Sequence, residues 1–355
     1  MMPAADPENI LVVQTAFLGD LILTLPLVQT IKAAFPAAQI DMLVVPKTSD
    51  ALQNNPSLRS ILVFDKRGVD SGIGGFIRRT GAIKKHHYDT AFLPHRSLRS
   101  AALARFAGIP RRIGFQTSAG RLLQTDTVKY DPSAHEIDRN LSLLGAVGVS
   151  PAGRQFPELY PSRTDRDVVE GVLRSSGLTA GEELIAIAPG TVWNTKRWPP
   201  DRFAELAAKL VSGGSRVVLV GGRGDSGLIT PYLQRENLTR IIDTAGQLTI
   251  LQSAELIRRC RVLVCNDSAP MHLAVAVRTP VVAIFGATIP EFGFAPIGER
   301  DIVLETKGLS CRPCSIHGGD VCPVKTFVCM LDITVDRVVK AVEKLLEAGS
   351  NNASS

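Results

Sequence analysis

Aromatic side chains are scarce in this chain: 5% of 355 residues, with two Trp and four Tyr. That scarcity argues against the stacked aromatic platforms on which single-stranded nucleic acids are held. It points instead to cores of Leu, Val, Ile and Ala, as in helix-covered parallel sheets. No apolar run approaches the ~18 residues that a membrane span requires. Residues 1–9 lack the basic start and apolar centre of a secretory signal, so a cytosolic location is expected. Cysteines number six, and in the cytosol they are expected as thiols rather than disulfides. Short-period repeats and low-complexity linkers are also missing. What the chain does have is ordinary globular composition, 45% hydrophobic and 21% charged, and a net charge of +6. A modest positive excess fits an anionic partner (a nucleotide, a nucleic acid or an acidic membrane surface) or a basic surface with no partner at all.

The length favours two domains over one core. Apolar strand-like runs at Ile10–Gln14, Gln39–Val45, Ile61–Phe64 and Thr90–Pro94 alternate with helical patterns, including 20–34 and 97–107. The pattern thins between Val128 and Arg166. It then restarts with a helix at 165–175 and runs at Leu184–Ala188, Arg216–Val220, Thr239–Ile242, Val262–Cys265 and Val281–Phe285. Alternation of this kind predicts parallel α/β architecture. The expected units are 1–165 and 166–348, with a final helix over Val335–Ala348 and a polar, disordered tail at 349–355.

Several stretches carry chemistry. The run Ala188-Pro-Gly-Thr-Val-Trp-Asn-Thr-Lys-Arg-Trp-Pro199 leaves a strand and enters a helix. Gly190 allows a close backbone approach there, and Thr191, Thr195 and Lys196 offer donors to phosphate oxygens. Trp193 and Trp198 would anchor the loop by burial. Asp20 follows the first strand, either as a helix N-cap or as a carboxylate able to take a proton from a hydroxyl. Gly222, Gly224 and Gly227 fit a dinucleotide fingerprint with Asp243 beyond it, and Asp225 could equally hold a ribose. In Cys265-Asn-Asp-Ser-Ala-Pro-Met-His272, Asp267 or Ser268 could cap a helix, or the helix start could bind a diphosphate with His272 on the same face. Cys311-x2-Cys314-x7-Cys322-x6-Cys329 could close a structural zinc site; an iron–sulfur cluster or free thiols remain open. Finally, His95, Arg96, Arg99, Arg105, Arg111 and Arg112 form a basic group suited to the phosphates of an acidic acceptor.

Together these motifs resemble the ADP-heptose:lipopolysaccharide heptosyltransferases, the ninth family of glycosyltransferases. The carriers are Leu18-Gly-Asp-Leu-Ile-Leu-Thr-Leu-Pro26, Phe106-Ala-Gly-Ile-Pro-Arg-Arg-Ile-Gly-Phe115, Pro189-Gly-x5-Thr-Lys-Arg-Trp-Pro199 and Asn266-Asp-Ser-x3-His272. The resemblance covers nearly the whole chain. Lys-Arg-Trp-Pro and the Cys-rich segment look most like the branch called heptosyltransferase II. The resemblance implies an α/β GT-B fold, two Rossmann-like domains with parallel sheets facing a central cleft. ADP-heptose would sit in the second domain and a lipid A-core acceptor at the inner face of the cytoplasmic membrane would meet the first.

By that resemblance Asp20 is the general base, and Thr191 and Lys196 meet the donor phosphates. Asp225 holds the ribose, Leu248 meets adenine through its backbone, and Asp267, Ser268 and His272 embrace diphosphate and heptose. Ala269 departs from the family's usual Gly, so its backbone must take a negative φ or bear strain. His95, Arg96 and Arg99 would contact the acceptor. The implied reaction is one displacement with inversion, no cofactor being required for catalysis and no nucleic acid involved. A related transferase with another sugar nucleotide, and a dinucleotide-dependent oxidoreductase, are the alternatives.

Overall fold

The computed structural model describes residues 6–179, 181–225, 227–233 and 240–351. The chain divides into two units between Tyr160 and Pro161. The sequence boundary drawn between 165 and 166 would cut the first turn of a helix that belongs wholly to the second unit.

The first unit holds strands β1 (Asn9–Gln14), β2 (Gln39–Val44), β3 (Ser60–Val63), β4 (Thr90–Leu93), β5 (Arg111–Phe115) and β6 (Asp126–Val128). Its helices are α1 (Leu18–Ala34), α2 (Gly72–Lys84), α3 (Leu98–Phe106) and α4 (Glu136–Ser142). The strands pair in the order β3-β2-β1-β4-β5-β6, parallel throughout. Residues 10–14 are buried without alternation, as a strand covered on both faces requires. Helix α1 is buried from Leu21 to Val28, so its apolar residues run all the way round rather than along one stripe. It packs against α4, where Asn140 Nδ2 donates to the Leu23 carbonyl at 3.1 Å.

The second unit opens with a reciprocal cap. Ser162 N–H donates to Asp165 (2.8 Å) and Asp165 N–H donates to Ser162 Oγ (3.1 Å), fixing the start of α5 (Arg163–Ser175). Its strands are β7 (Leu184–Ala188), β8 (Arg216–Leu219), β9 (Ile241–Asp243), β10 (Val262–Asn266), β11 (Val281–Phe285) and β12 (Ile302–Glu305). Between and after them lie α6 (Pro200–Ser212), α7 (Thr230–Leu233), α8 (Ile250–Arg258), α9 (Ala269–Ala276), α10 (Val328–Leu331) and α11 (Val335–Asn351). The sheet order is β12-β11-β10-β7-β8-β9, again all parallel. Helix α11 buries Val335, Val338, Val342 and Leu345 at helical spacing against the core that holds Trp198 and Phe203. It runs to Asn351, into the segment expected as a disordered tail, and residues 352–355 lie outside the described residues. Thr239 of the expected run at 239–242 also lies outside them; the strand there is β9.

Each sheet therefore reverses its winding once, between β1 and β4 in the first unit and between β7 and β10 in the second. Loops leaving the carboxyl ends of these strand pairs border the crevice where open parallel sheets bind ligands. Among the described residues, no helix is long and apolar enough to cross a membrane.

Candidate functional site

In the second unit both reversal-point strands end in functional loops. Asn266, the last residue of β10 and fully buried, ties the two together. Its Nδ2 donates to the Pro189 carbonyl at 2.9 Å and its Oδ1 accepts from Trp198 N–H at 2.9 Å. Loop 189–199 is thus held at both ends by one amide. Trp198 is the deeper anchor, wholly buried, with its indole N–H donating to Ile333 O at 2.9 Å and Phe203 edge-on to its ring. Trp193 is only half-buried, so burial anchors the loop at one indole rather than two.

Within this frame Lys196 Nζ lies 2.7 Å from Asp267 Oδ2, both side chains being mostly buried. Thr288, after β11, donates its hydroxyl to the same carboxylate oxygen at 2.6 Å. Thr288 escaped the sequence reading; the signal was a Gly-Ala-Thr ending an apolar run, like the Pro-Gly-Thr after β7. Thr191 stands half-buried in the loop, with its carbonyl accepting from Arg197 at 2.8 Å. Thr195 differs from its expected role as a phosphate donor. It is buried, and its hydroxyl accepts from Gly319 N–H at 2.8 Å.

Asp225 is where β8's turn touches β7's. Its carboxylate accepts from Gly222 N–H at 2.9 Å and lies against Gly190, where an added Cβ would come within 2.1 Å of it. Gly190 is therefore needed for close approach, not for an unusual φ. Leu248 precedes α8, whose start is fixed by a reciprocal Thr249–Gln252 cap.

Ser268 occupies the N-cap position of α9 but makes no capping bond; its hydroxyl donates to the Asn266 carbonyl at 3.3 Å. The backbone N–H of the helix start is thus left uncapped by side chains, the arrangement that suits an anion. Ala269 is not among the residues with positive φ, so the Ala that replaces the usual Gly carries no strain there. His272 is buried in the first turns of α9.

The Cys-rich segment packs over these loops. Arg312, almost fully buried, donates to the carbonyls of Gly286, Thr306 (2.9 Å) and Thr288 (2.8 Å) and pairs with Glu305 at 2.8 Å. Cys314 N–H donates to Ala287 O at 2.9 Å, Thr195 N–H to Gly319 O at 2.9 Å, and Asn194 Nδ2 to Asp320 O at 3.2 Å. Cys311, Cys314, Cys322 and Cys329 are all free thiols. No group of three or more His, Cys, Asp or Glu among the described residues is arranged to hold a metal. Cys329 is taken up in the core beside Met330, and Cys314 Sγ donates to Cys311 O at 3.4 Å.

The fingerprint Gly222, Gly224 and Gly227 follows β8, one strand away from the reversal point, and leads to α7; Ser226 and residues 234–239 lie outside the described residues. Asp243, the residue that would hold a dinucleotide ribose, accepts from Ala245 N–H at 3.0 Å. A dinucleotide site of this kind lies at the reversal-point strands, and β8 is not one of them.

In the first unit Asp20 is the third residue of α1, not its N-cap. Its carboxylate accepts the N–H of Phe17 at 3.1 Å, and its side chain is half-buried. Glu136, missed in the sequence, lies within its electrostatic reach. Burial pushes the Glu136 carboxyl up, Arg139 at 2.9 Å pulls it down, and Asp20 adds to the rise. His95 Nδ1 is 3.1 Å from Thr15 Oγ1. Burial, then the charges of Lys66 and Arg96, push His95 down to about 4. Lys66 donates to Thr15 O at 2.8 Å; burial, then Arg67 and Arg99, hold it below the usual lysine range. Arg96 lies over the Tyr130 ring at 4.1 Å. His95, Arg96 and Arg99 are thus brought together, joined by Lys66. Arg111 and Arg112 are not. Arg111 pairs in register with Thr90 at the opposite end of β4 and binds Asp126 and the Ala146 carbonyl, while Arg112 binds the carbonyls of Leu123, Ile109 and Pro110.

Two units, each built on a parallel sheet whose reversal-point loops gather polar and cationic side chains, have the architecture of the GT-B class of transferases. The profile of glycosyltransferase family 9 (heptosyltransferase) matches residues 77–320, and the chain belongs to that family of glycosyltransferases. It is 28% identical over 347 residues to lipopolysaccharide heptosyltransferase 2 of Salmonella typhimurium, covering 95% of this chain and 98% of that one. A solved structure of E. coli ADP-heptose LPS heptosyltransferase II superimposes with a TM-score of 0.80 at 26% identity, covering 96% and 99%. A family 9 glycosyltransferase from Veillonella parvula gives 0.82 at 25%, covering 96% and 97%.

Proposed function

We propose that this chain transfers an L-glycero-D-manno-heptose from ADP-heptose to the inner core of lipopolysaccharide, with inversion. The observation that carries the reading is the Lys196–Asp267–Thr288 cluster beside the uncapped start of α9, at the reversal point of the second sheet. A cation and helix N–H groups converge there as a diphosphate requires. Asp225 against Gly190 offers its carboxylate to the ribose, and Leu248 offers backbone groups to adenine. Thr191, Ser268 and His272 complete the donor side. Loss of the ADP group leaves negative charge on its terminal phosphate, which Lys196 and the α9 start offset.

Asp20 is the proton acceptor. An acceptor heptose hydroxyl attacks the anomeric carbon, its proton passes to the carboxylate, and the bond to the diphosphate breaks. His95, Arg96 and Arg99, with Lys66, suit the anionic groups of a lipid A-core acceptor, and the enzyme works peripherally at the membrane that holds it. The test is incubation of purified protein with ADP-heptose and truncated core lipopolysaccharide, read by mass spectrometry. A mass gain of one heptose is expected; an unchanged acceptor beside intact, bound ADP-heptose would overturn the donor–acceptor pair.

A further inference from the structure

The chain's positive charge is concentrated in one segment. Residues 66–121 carry twelve Lys or Arg against two acidic residues, Asp70 and Asp89, a net +10 where the whole chain totals +6. Both acids are occupied internally. Asp70 is buried and paired with Arg79 at 2.8 Å, and Asp89 accepts the N–H groups of Glu8 and Asn9. The cations are what the surface shows.

Large apolar side chains stand among them outside the core: Val69 (72% exposed), Ile73 (80%), Ile77 (64%), Phe106 (63%) and Leu122 (90%). They belong to neighbouring elements of one unit. Ile73 and Ile77 are one turn apart on α2. Phe106, ending α3, meets Phe76 of α2 edge-on at 6.3 Å. Gly120 leads into the short turn that carries Leu122 and is packed on Ala101 and Leu98 of α3. Each apolar side chain but Ile73 has an exposed arginine within two residues: Arg67 with Val69, Arg78 with Ile77, Arg105 with Phe106, Arg121 with Leu122. No acidic partner pairs with Arg67, Arg105 or Arg121 among the described residues.

A monomer seldom exposes clustered apolar side chains of this size without a use. Apolar groups interleaved with arginines match a bilayer interface, where apolar side chains enter the acyl region and guanidinium groups stay with headgroup phosphates. We propose that α2, α3 and the Arg121–Leu123 turn form a docking face for an anionic lipid bilayer. Ile73, Ile77 and Phe106 enter the membrane, and Arg67, Arg78, Arg105 and Arg121 bind its headgroups. None of these residues has been placed in the donor or proton-transfer machinery, and of them only Arg105 belongs to the basic group that the sequence assigns to the acceptor.

Vesicle flotation of the full chain tests this without donor or acceptor, so its outcome is separable from that of the transfer reaction. Partition is expected onto equal mixtures of phosphatidylglycerol and phosphatidylcholine, but not onto phosphatidylcholine alone, and it should fall with salt. An electrostatic contribution of roughly fivefold per cation near the surface predicts at least about a tenfold loss for Arg105→Glu/Arg121→Glu. Ile73→Asp/Ile77→Asp should lose binding to a similar degree, with circular dichroism unchanged in both and transfer to detergent-dispersed acceptor unchanged in the isoleucine variant. The proposal is overturned if the unsubstituted protein ignores anionic vesicles or if both double variants still float. It is overturned equally if Ile73→Asp/Ile77→Asp abolishes a concentration-dependent dimer, which would assign the face to a second copy. RNA binding lost only in the arginine variant would also overturn it.

Discussion

The ammonium of Lys196 and the carboxylate of Asp267 meet at 2.7 Å, joining the loop after β7 to the loop after β10 across the reversal of the second sheet. Removing one partner of a mostly buried pair strands the other, at a cost of about 3 kcal/mol. Lys196→Met should therefore lower the urea midpoint, and Lys196→Met/Asp267→Asn should restore part of it. Turnover should fall roughly a hundredfold or more in both, because charge compensation for the leaving group is gone. Equal stability of the single and double variants would show that the pair is not coupled in the fold.

Gly190 and Asp225 give a second prediction. A methyl group at 190 would lie 2.1 Å from the Asp225 carboxyl, which must then swing away and break its 2.9 Å bond from Gly222 N–H. Gly190→Ala should destabilise by about 1–3 kcal/mol and weaken ADP binding. Gly190→Ala/Asp225→Ala should regain stability but not ADP affinity, as read by thermal unfolding and calorimetry. Recovery of both would remove Asp225 from the ribose site.

Asp20→Asn keeps an oxygen for the Phe17 N–H, so the fold of α1's start should persist. Donor affinity is expected to stay near the original value while transfer drops by about 10²-fold or more. Single-turnover rates at saturating ADP-heptose measure this. Undiminished rates would assign Asp20 to capping alone.

His95 carries a pH signature. Its folded-state value is depressed to about 4 by burial, then by Lys66 and Arg96, against an ordinary value of about 6.5. A base held neutral in the fold contributes stability that is complete above the unfolded value and is lost as pH falls through the folded one. Unfolding free energy should decline between about pH 6.5 and about pH 4, and His95→Gln should flatten that decline. Chemical denaturation across this range decides it; parallel curves would place the titration elsewhere.

Much of the fold was legible in the sequence because buried parallel strands are short apolar runs, and β1, β7 and β11 are of that kind. The less legible strands each break that pattern. β5 starts with Arg111 and Arg112, whose charged heads reach back to carbonyls and hide a strand inside a basic cluster. β12 is a half-exposed edge, and α4 lies where prolines made the pattern thin. In the site, residues next to one another in the chain could be read; partners across strands could not. Lys196, Asp267 and Asp225 stood in recognisable motifs, whereas Thr288, Lys66 and Glu136 gain their meaning from contacts that only the folded chain makes. Arg111 and Arg112 err in the opposite direction, being close in sequence to the acceptor cluster and at the far end of its sheet.

The two indoles of this chain occupy different settings, Trp198 sealed within the core and Trp193 half-open in the loop that carries Lys196. Emission from the first should hold steady until the second unit melts, while emission from the second should respond when that loop changes its surroundings. Comparing the unsubstituted protein with Trp193→Phe would separate the two signals, assigning ligand occupancy to one indole and global unfolding to the other without any label.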